Sequence, residues 1–228
     1  MSCGFFVTGT DTGVGKTLVT AALLRRLRES GVTVVGMKPV AAGAIAGPEG
    51  PANPDALLLQ TESSVSHPYA LVNPWLFEAA TAPHIAAAET GVVIDTDRIV
   101  KAHETLRASA DVVLAEGAGG FLVPLNAQRS FADLPGLLGM DVLLVVGLRL
   151  GCLNHALLTV EAIAARGYRL AGWIGNSIDP AFARRDANIA TLTAMIPAPC
   201  LGIVPWLANP GIAEAAAALP GSARLRPV

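Results

Sequence analysis

The 228-residue chain is 52% hydrophobic, 15% charged and only 5% aromatic, with a formal net charge of −2. That balance offers no basic stripe for a nucleic-acid backbone, and no apolar run approaches the ~20 residues of a membrane span. The first residues lack the charged region and long apolar core of a secretory leader, and Cys3, Cys152 and Cys200 are scattered without metal-ligand spacing, so reduced thiols and a cytoplasmic location are expected.

In chain order, a short apolar strand at Gly4–Thr8 runs into Gly9-Thr10-Asp11-Thr12-Gly13-Val14-Gly15-Lys16-Thr17, and a helical pattern follows at Thr17–Glu29. Strand, glycine-containing turn and helix together form a triphosphate cradle. The backbone N–H groups of Gly13, Val14 and Gly15 and the open helix end face phosphate oxygens; Lys16 reaches the β and γ groups, and the Thr17 hydroxyl takes Mg²⁺. ATP or GTP is therefore the expected ligand. The loop is a variant, because Thr10 stands where the strict pattern has glycine. Position 11, where partitioning ATPases carry an extra lysine, is an aspartate. That argues against a partitioning switch.

A second strand, Thr33–Lys38, ends at Lys38-Pro39, where the proline keeps the lysine extended. Beside Lys16, Lys38 would add a second positive charge over the γ-phosphate; alone it would be an ordinary exposed strand-end lysine. From Pro39 to His84 recurrent prolines break the rhythm, leaving one short helical piece around Asp55–Gln60. This excursion, at about residues 39–95, reads as a substrate-building loop, with Tyr69, Trp75 and Phe77 arguing for order. Asp55 is either a chemical group or a first-turn acid favoured by the helix dipole.

A helix at Asp97–Ser109 leads to the strand Val112–Glu116, where a phosphate-binding fold needs an acid for Mg²⁺ or its water. The following Gly117-Ala118-Gly119-Gly120 lets the backbone approach a ligand closely. Strands at Val142–Val146, Leu170–Asn176 and Leu201–Val204 alternate with helices at Asn154–Ala165 and Ala183–Met195. Asn176 ends its strand with an amide able to read an adenine edge, or to make a plain turn. Gly151-Cys152-Leu153-Asn154 precedes its helix and offers a second anion site. The alternation implies an α/β fold: a mostly parallel sheet with helices on both faces, of P-loop NTPase type, in one domain over residues 1–228.

These pieces resemble the dethiobiotin synthetases. The likeness rests on Val7-Thr8-Gly9-Thr10-Asp11-Thr12 with Val14-Gly15-Lys16-Thr17, then Lys38-Pro39-Val40, Asp55-Ala56-Leu57, Asn73-Pro74 and Pro83-His84. It continues through Glu116–Gly120, Leu150-Gly151-Cys152 with Asn154-His155, and Pro205-Trp206-Leu207. The resemblance implies a homodimer that turns 7,8-diaminononanoate, CO₂ and MgATP into dethiobiotin, ADP and phosphate. It implies Lys16 and Lys38 as catalytic groups and Thr17, Asp55 and Glu116 as the metal shell. Thr12 and the loop at Ala42 would meet the diamine, and the amides near Leu153 of the partner subunit and Asn154 of the partner subunit would meet its carboxylate. Asn176, Ser177 and Pro205, Trp206 and Leu207 would frame the adenine.

Three positions depart from the family pattern: Ala42 for a serine, Asn188 for a tyrosine, and Gly211 near an acid that can meet the ribose. Two rival readings are a corrin a,c-diamide synthase-like ligase and a partitioning ATPase. The first needs a glutaminase domain that this length does not accommodate, and the second needs the missing lysine at position 11.

Overall fold

The computed structural model describes residues 3–47, 50–209 and 211–219. Its main sheet has six strands: β1 (Cys3–Gly9), β2 (Val34–Met37), β7 (Val112–Glu116), β8 (Asp141–Leu148), β9 (Leu170–Ser177) and β10 (Cys200–Val204). They lie in the order β10-β9-β8-β1-β7-β2, every pairing parallel. Parallel strands covered on both faces are continuously apolar, and β7 and all but the first residue of β8 are fully buried.

Alternate side chains separate the two layers. Phe5, Val7, Leu114, Leu143 and Val145 point into a core closed by α1 (Lys16–Glu29), α2 (Pro54–Glu62) and α9 (Ile212–Ala217). Phe6, Val113 and Ala115 face α4 (Pro83–Glu89), α5 (Thr96–Arg107) and α6 (Leu134–Leu138). Leu144, Val146 and Trp173 face α7 (Cys152–Ala165) and α8 (Arg185–Met195). Leu23, Leu24 and Leu27 of α1 are at most 2% exposed, so truncating any one to alanine costs ~2–5 kcal/mol.

Register places the chemistry. Val7 of β1 sits opposite Glu116 and Met37 of β2 opposite Ala115, so the loop after β1, Lys38 and Glu116 emerge side by side at the carboxyl ends. Open parallel sheets bind ligands there. Among the described residues no helix is long and apolar enough to cross a membrane.

The excursion holds more than the single helical piece expected of it. Its elements are β3 (Val40–Ala42), β4 (Ile45–Gly47), β5 (Gly50–Ala52), α2, α3 (Tyr69–Val72), β6 (Trp75–Phe77) and α4. β3 pairs with β6 in parallel and β4 with β5 in antiparallel. Strands of three residues are too short to show alternation, and Pro51 is tolerated because β5 belongs to a two-stranded sheet. The helix expected from Ala183 starts at Arg185, since Arg184 adopts a left-handed φ of 61° at its N-cap. Cys152, Leu153 and Asn154, expected to precede a helix, form the first turn of α7.

Candidate active site

The loop after β1 owes its shape to backbone freedom. Gly13 and Gly15 have φ of 73° and 85°, values other residues rarely adopt. A Cβ on Gly15 would also lie 2.1 Å from Asn176 Nδ2. That amide donates to the Val14 carbonyl at 2.9 Å, buttressing the loop from β9. One of the two N–H donors that the sequence offered to an adenine is therefore used within the protein itself. Asp11 ties the loop to the segment after β8 through Arg149 Nη2 at 2.5 Å.

Lys16 opens α1 and is 7% exposed, with Nζ donating to the Asp11 carbonyl at 3.0 Å. Burial, helped by the like charge of Lys38 and opposed by Glu116, lowers its pKa to about 8. Thr17 Oγ1 donates to Glu116 Oε1 at 2.8 Å. Glu116 itself is completely buried.

Lys38 bridges the carboxylates: its Nζ lies 2.5 Å from Glu116 Oε1 and 2.9 Å from Asp55 Oδ2. Neither acid has a lysine or arginine close to it in the chain; folding supplies one from the end of β2. Burial opposes the ammonium, but Glu116 and Asp55 outweigh it and raise the Lys38 pKa. Asp55 is held at the start of α2 by Asn53, whose Oδ1 accepts from the N–H groups of Asp55 and Ala56 at 3.1 and 3.3 Å. Proline at the first helical position follows, a start signal readable in Asn53-Pro54.

Thr12, Gly13, Gly15, Lys16, Thr17, Lys38, Ala42, Asp55, Glu116, Ala118 and Gly119 all line one cavity of about 660 Å³. Gly117 borders it, its carbonyl 3.4 Å from Lys38 Nζ. Asn53 and the segment Ala80, Thr81, Ala82 and Pro83 complete the wall. Of these the sequence reading marked only Pro83, within Pro83-His84. Ser177 and Trp206 line a separate cavity of about 530 Å³ with Phe182 and Arg184. Pro205 is exposed, and Leu207 packs partly buried against the α1 side of the core. Leu153 and Asn154 line neither cavity.

The departures have local explanations. The Ala42 carbonyl accepts from Asn53 Nδ2 at 3.2 Å, so the backbone there is held without a hydroxyl. Asn188 Nδ2 donates to the Arg184 carbonyl at 2.9 Å. At Gly211 a Cβ would lie 2.0 Å from Glu214 Oε2, so the first-turn acid of α9 occupies that space.

Among the described residues no three His, Cys, Asp or Glu side chains gather to hold a metal unaided. The donor set nevertheless suits Mg²⁺, which takes one or two carboxylates and fills its shell with phosphates and water. Glu116 Oε2 supports this fit, being buried without a hydrogen-bond partner.

The AAA domain family model matches residues 3–211. The chain is 54% identical over 217 residues to the ATP-dependent dethiobiotin synthetase of Aromatoleum aromaticum, covering 94% of this chain and 96% of that protein. It is 51% identical over 216 residues to the corresponding synthetase of Pseudomonas paraeruginosa, covering 94% and 95%. The chain belongs to the dethiobiotin synthetase family. Membership makes it an ATP-dependent ligase of biotin biosynthesis, carrying a P-loop at its nucleotide site. The septum site-determining protein MinD of Pyrococcus horikoshii, complexed with Mg-ADP, superposes with a TM-score of 0.58. It shares 16% identity, over 94% of this chain and 86% of that one. A likeness at that identity carries the fold alone, and function has to be read from the site.

Proposed function

We propose that the protein joins CO₂ to 7,8-diaminononanoate and closes the ureido ring of dethiobiotin, converting ATP to ADP and phosphate. In this reading one amine captures CO₂ as a carbamate. A carbamate oxygen attacks the γ-phosphorus and ADP leaves, giving a carbamic–phosphoric anhydride. The second amine then attacks the anhydride carbon, the C–O bond to phosphate breaks, and the ring closes with loss of the ammonium protons.

Both reacting partners are anions, so the demand on the protein is charge neutralisation and alignment rather than a covalent nucleophile. The reading is supported by Lys16, Thr17, Lys38, Asp55 and Glu116 converging on one cavity in a chain of this family. Gly13, Val14 and Gly15 turn backbone donors toward the phosphates, and Lys16 neutralises the β–γ region. Thr17, Asp55 and Glu116 would hold Mg²⁺, which when bound offsets charge on the triphosphate. Lys38, 4% exposed beside both acids, carries the positive charge toward the carbamate and the transferring phosphoryl. Thr12 and the backbone at Ala42 meet the diamine, while Ser177, Trp206 and neighbouring Asn176, Pro205 and Leu207 frame the base.

The described excursion, within residues 39–95, builds the substrate wall of what we take to be one working unit across residues 1–228. Leu153 and Asn154 lie on α7 away from the cavity, which suits a homodimer in which each protomer completes its partner's site. Such an enzyme would work in the cytoplasm, without nucleic acid or membrane.

The test is phosphate release from MgATP with and without the diamine and bicarbonate, with mass spectrometry of the product. Phosphate release that requires both co-substrates, together with the cyclic urea, supports the proposal. Release indifferent to the diamine would replace the ligase with a nucleotide switch.

A further inference from the structure

From the cavity-lining Lys38 and Asn53 a chain of hydrogen bonds runs back through Asn73 and Tyr69, which do not line the cavity. Asn73 Nδ2 donates to the Lys38 carbonyl at 2.7 Å and to the Trp75 carbonyl at 3.0 Å. Two carbonyls on one side fix the amide orientation, so Asn73 Oδ1 must face the other way. There it accepts from the Tyr69 hydroxyl at 2.9 Å. The same hydroxyl accepts from the backbone N–H of Asn53 at 2.7 Å. Asn53 in turn caps α2 at Asp55 and Ala56 and ties down the Ala42 carbonyl. Asn53 and Asn73 are 7% and 3% exposed, so neither exchanges these bonds for water. Burial raises the Tyr69 pKa, which keeps the hydroxyl a donor across the working pH range.

We propose that Tyr69 is a positioning residue: its hydroxyl joins the backbone of Lys38 to the cap of the helix that presents Asp55, fixing ammonium and carboxylate relative to each other. The inference rests on the roles given to Lys38 and Asp55 above and adds a residue that touches no reactant. Lys38 hangs from the end of β2, in the main sheet, and Asp55 from α2, inside the excursion. Covalent connection between them runs through residues 39–54, whose described part holds three strands of three residues each, with one pairing, β4 to β5, made inside the segment. Besides the direct ion pair of the two side chains, the Tyr69 junction ties their backbones together. A further bond, Lys38 N–H to the Val72 carbonyl at 2.8 Å, anchors β2 to the same short helix that carries Tyr69.

Tyr69→Phe keeps the ring and deletes only the junction, leaving Asn73 Oδ1 and the Asn53 N–H without their partner. Small displacements of aligned groups cost up to ~10²-fold in rate, so kcat should fall about tenfold while KM for MgATP stays within about twofold. Asn73→Ala cuts the chain at its next link and should give the same split, which guards against a folding defect in either variant. Because Tyr69 acts through Lys38, the Tyr69→Phe change made in a Lys38→Ala background should add less than about a twofold loss. Three results would overturn the proposal: kcat within twofold of wild type, a rise in KM with kcat unchanged, or full additivity in the double variant. Wild-type protein that forms no cyclic urea would remove the parent reaction and this role with it, an outcome separable from failure in the variants alone.

Discussion

Replacing Lys16 by methionine should stabilise the nucleotide-free protein even as it destroys nucleotide handling. The ammonium is 7% exposed, and burial has lowered its pKa from 10.5 to about 8. Keeping it charged at pH 7 therefore costs the fold about 3 kcal/mol relative to an exposed lysine. Methionine has similar length and no charge, so that cost disappears. The bond from Nζ to the Asp11 carbonyl, 3.0 Å, is lost as well, which returns about 1 kcal/mol. The net gain of about 2 kcal/mol corresponds to a melting temperature roughly 4–8 °C higher for a chain of this size. The pH dependence supplies an internal control. Because the folded pKa is the lower one, the wild type is most stable above pH 10.5 and loses that stability as pH falls toward 8. The advantage of Lys16→Met should thus be full near pH 7 and shrink as pH climbs through 8 to 10. Calorimetry of both proteins without nucleotide reads this directly. A variant that melts at or below wild type at pH 7, or a gap independent of pH, would refute the electrostatic reasoning.

Lys38→Ala should behave in the opposite way. It leaves Glu116 buried with no ammonium beside it, a change worth ~3–5 kcal/mol of lost stability by urea titration. Turnover should fall by ~10²–10³ in kcat, and unchanged turnover would remove Lys38 from the chemistry. His103 offers a separate probe in the core: it is 3% exposed, its Nε2 has no partner, and burial together with Arg107 lowers its pKa to about 4. Its folded pKa lies below the unfolded 6.5, so stability present above 6.5 is lost as pH falls toward 4, by about 3 kcal/mol. Equilibrium unfolding at pH 7 and pH 4 should show that loss in wild type and a much smaller one in His103→Leu.

The sheet and the phosphate loop were legible because their signals are local. The six strands of the main sheet read as apolar runs, and Gly13 and Gly15, just before Lys16, announce a backbone shape that few other residues can take. What was hidden depends on distance in sequence. Nothing near Glu116 in the chain hints that Lys38 will lie 2.5 Å away; parallel register between β2 and β7 alone decides it. Arg149 is similarly silent until Asp11 is brought beside it across 138 positions. Within the excursion, three-residue strands gave no period to detect, although Asn53-Pro54-Asp55 carried a readable helix start. Tyr69 looked like an ordering aromatic, and its hydroxyl gained meaning only through Asn53 and Asn73. Asn176 carries a use that no local signal announced: one N–H of its amide braces the phosphate loop.

The ammonium seated between Asp55 and Glu116 also changes what arrival of a divalent ion amounts to. On the proposed assignment one of the two negative charges is already offset from within, so a divalent ion would meet a site that holds a cation and not a bare anionic hole. An ammonium in that position would let the two acids sit in the folded chain before any ion is bound, and would leave the lysine beside the reactants once one is.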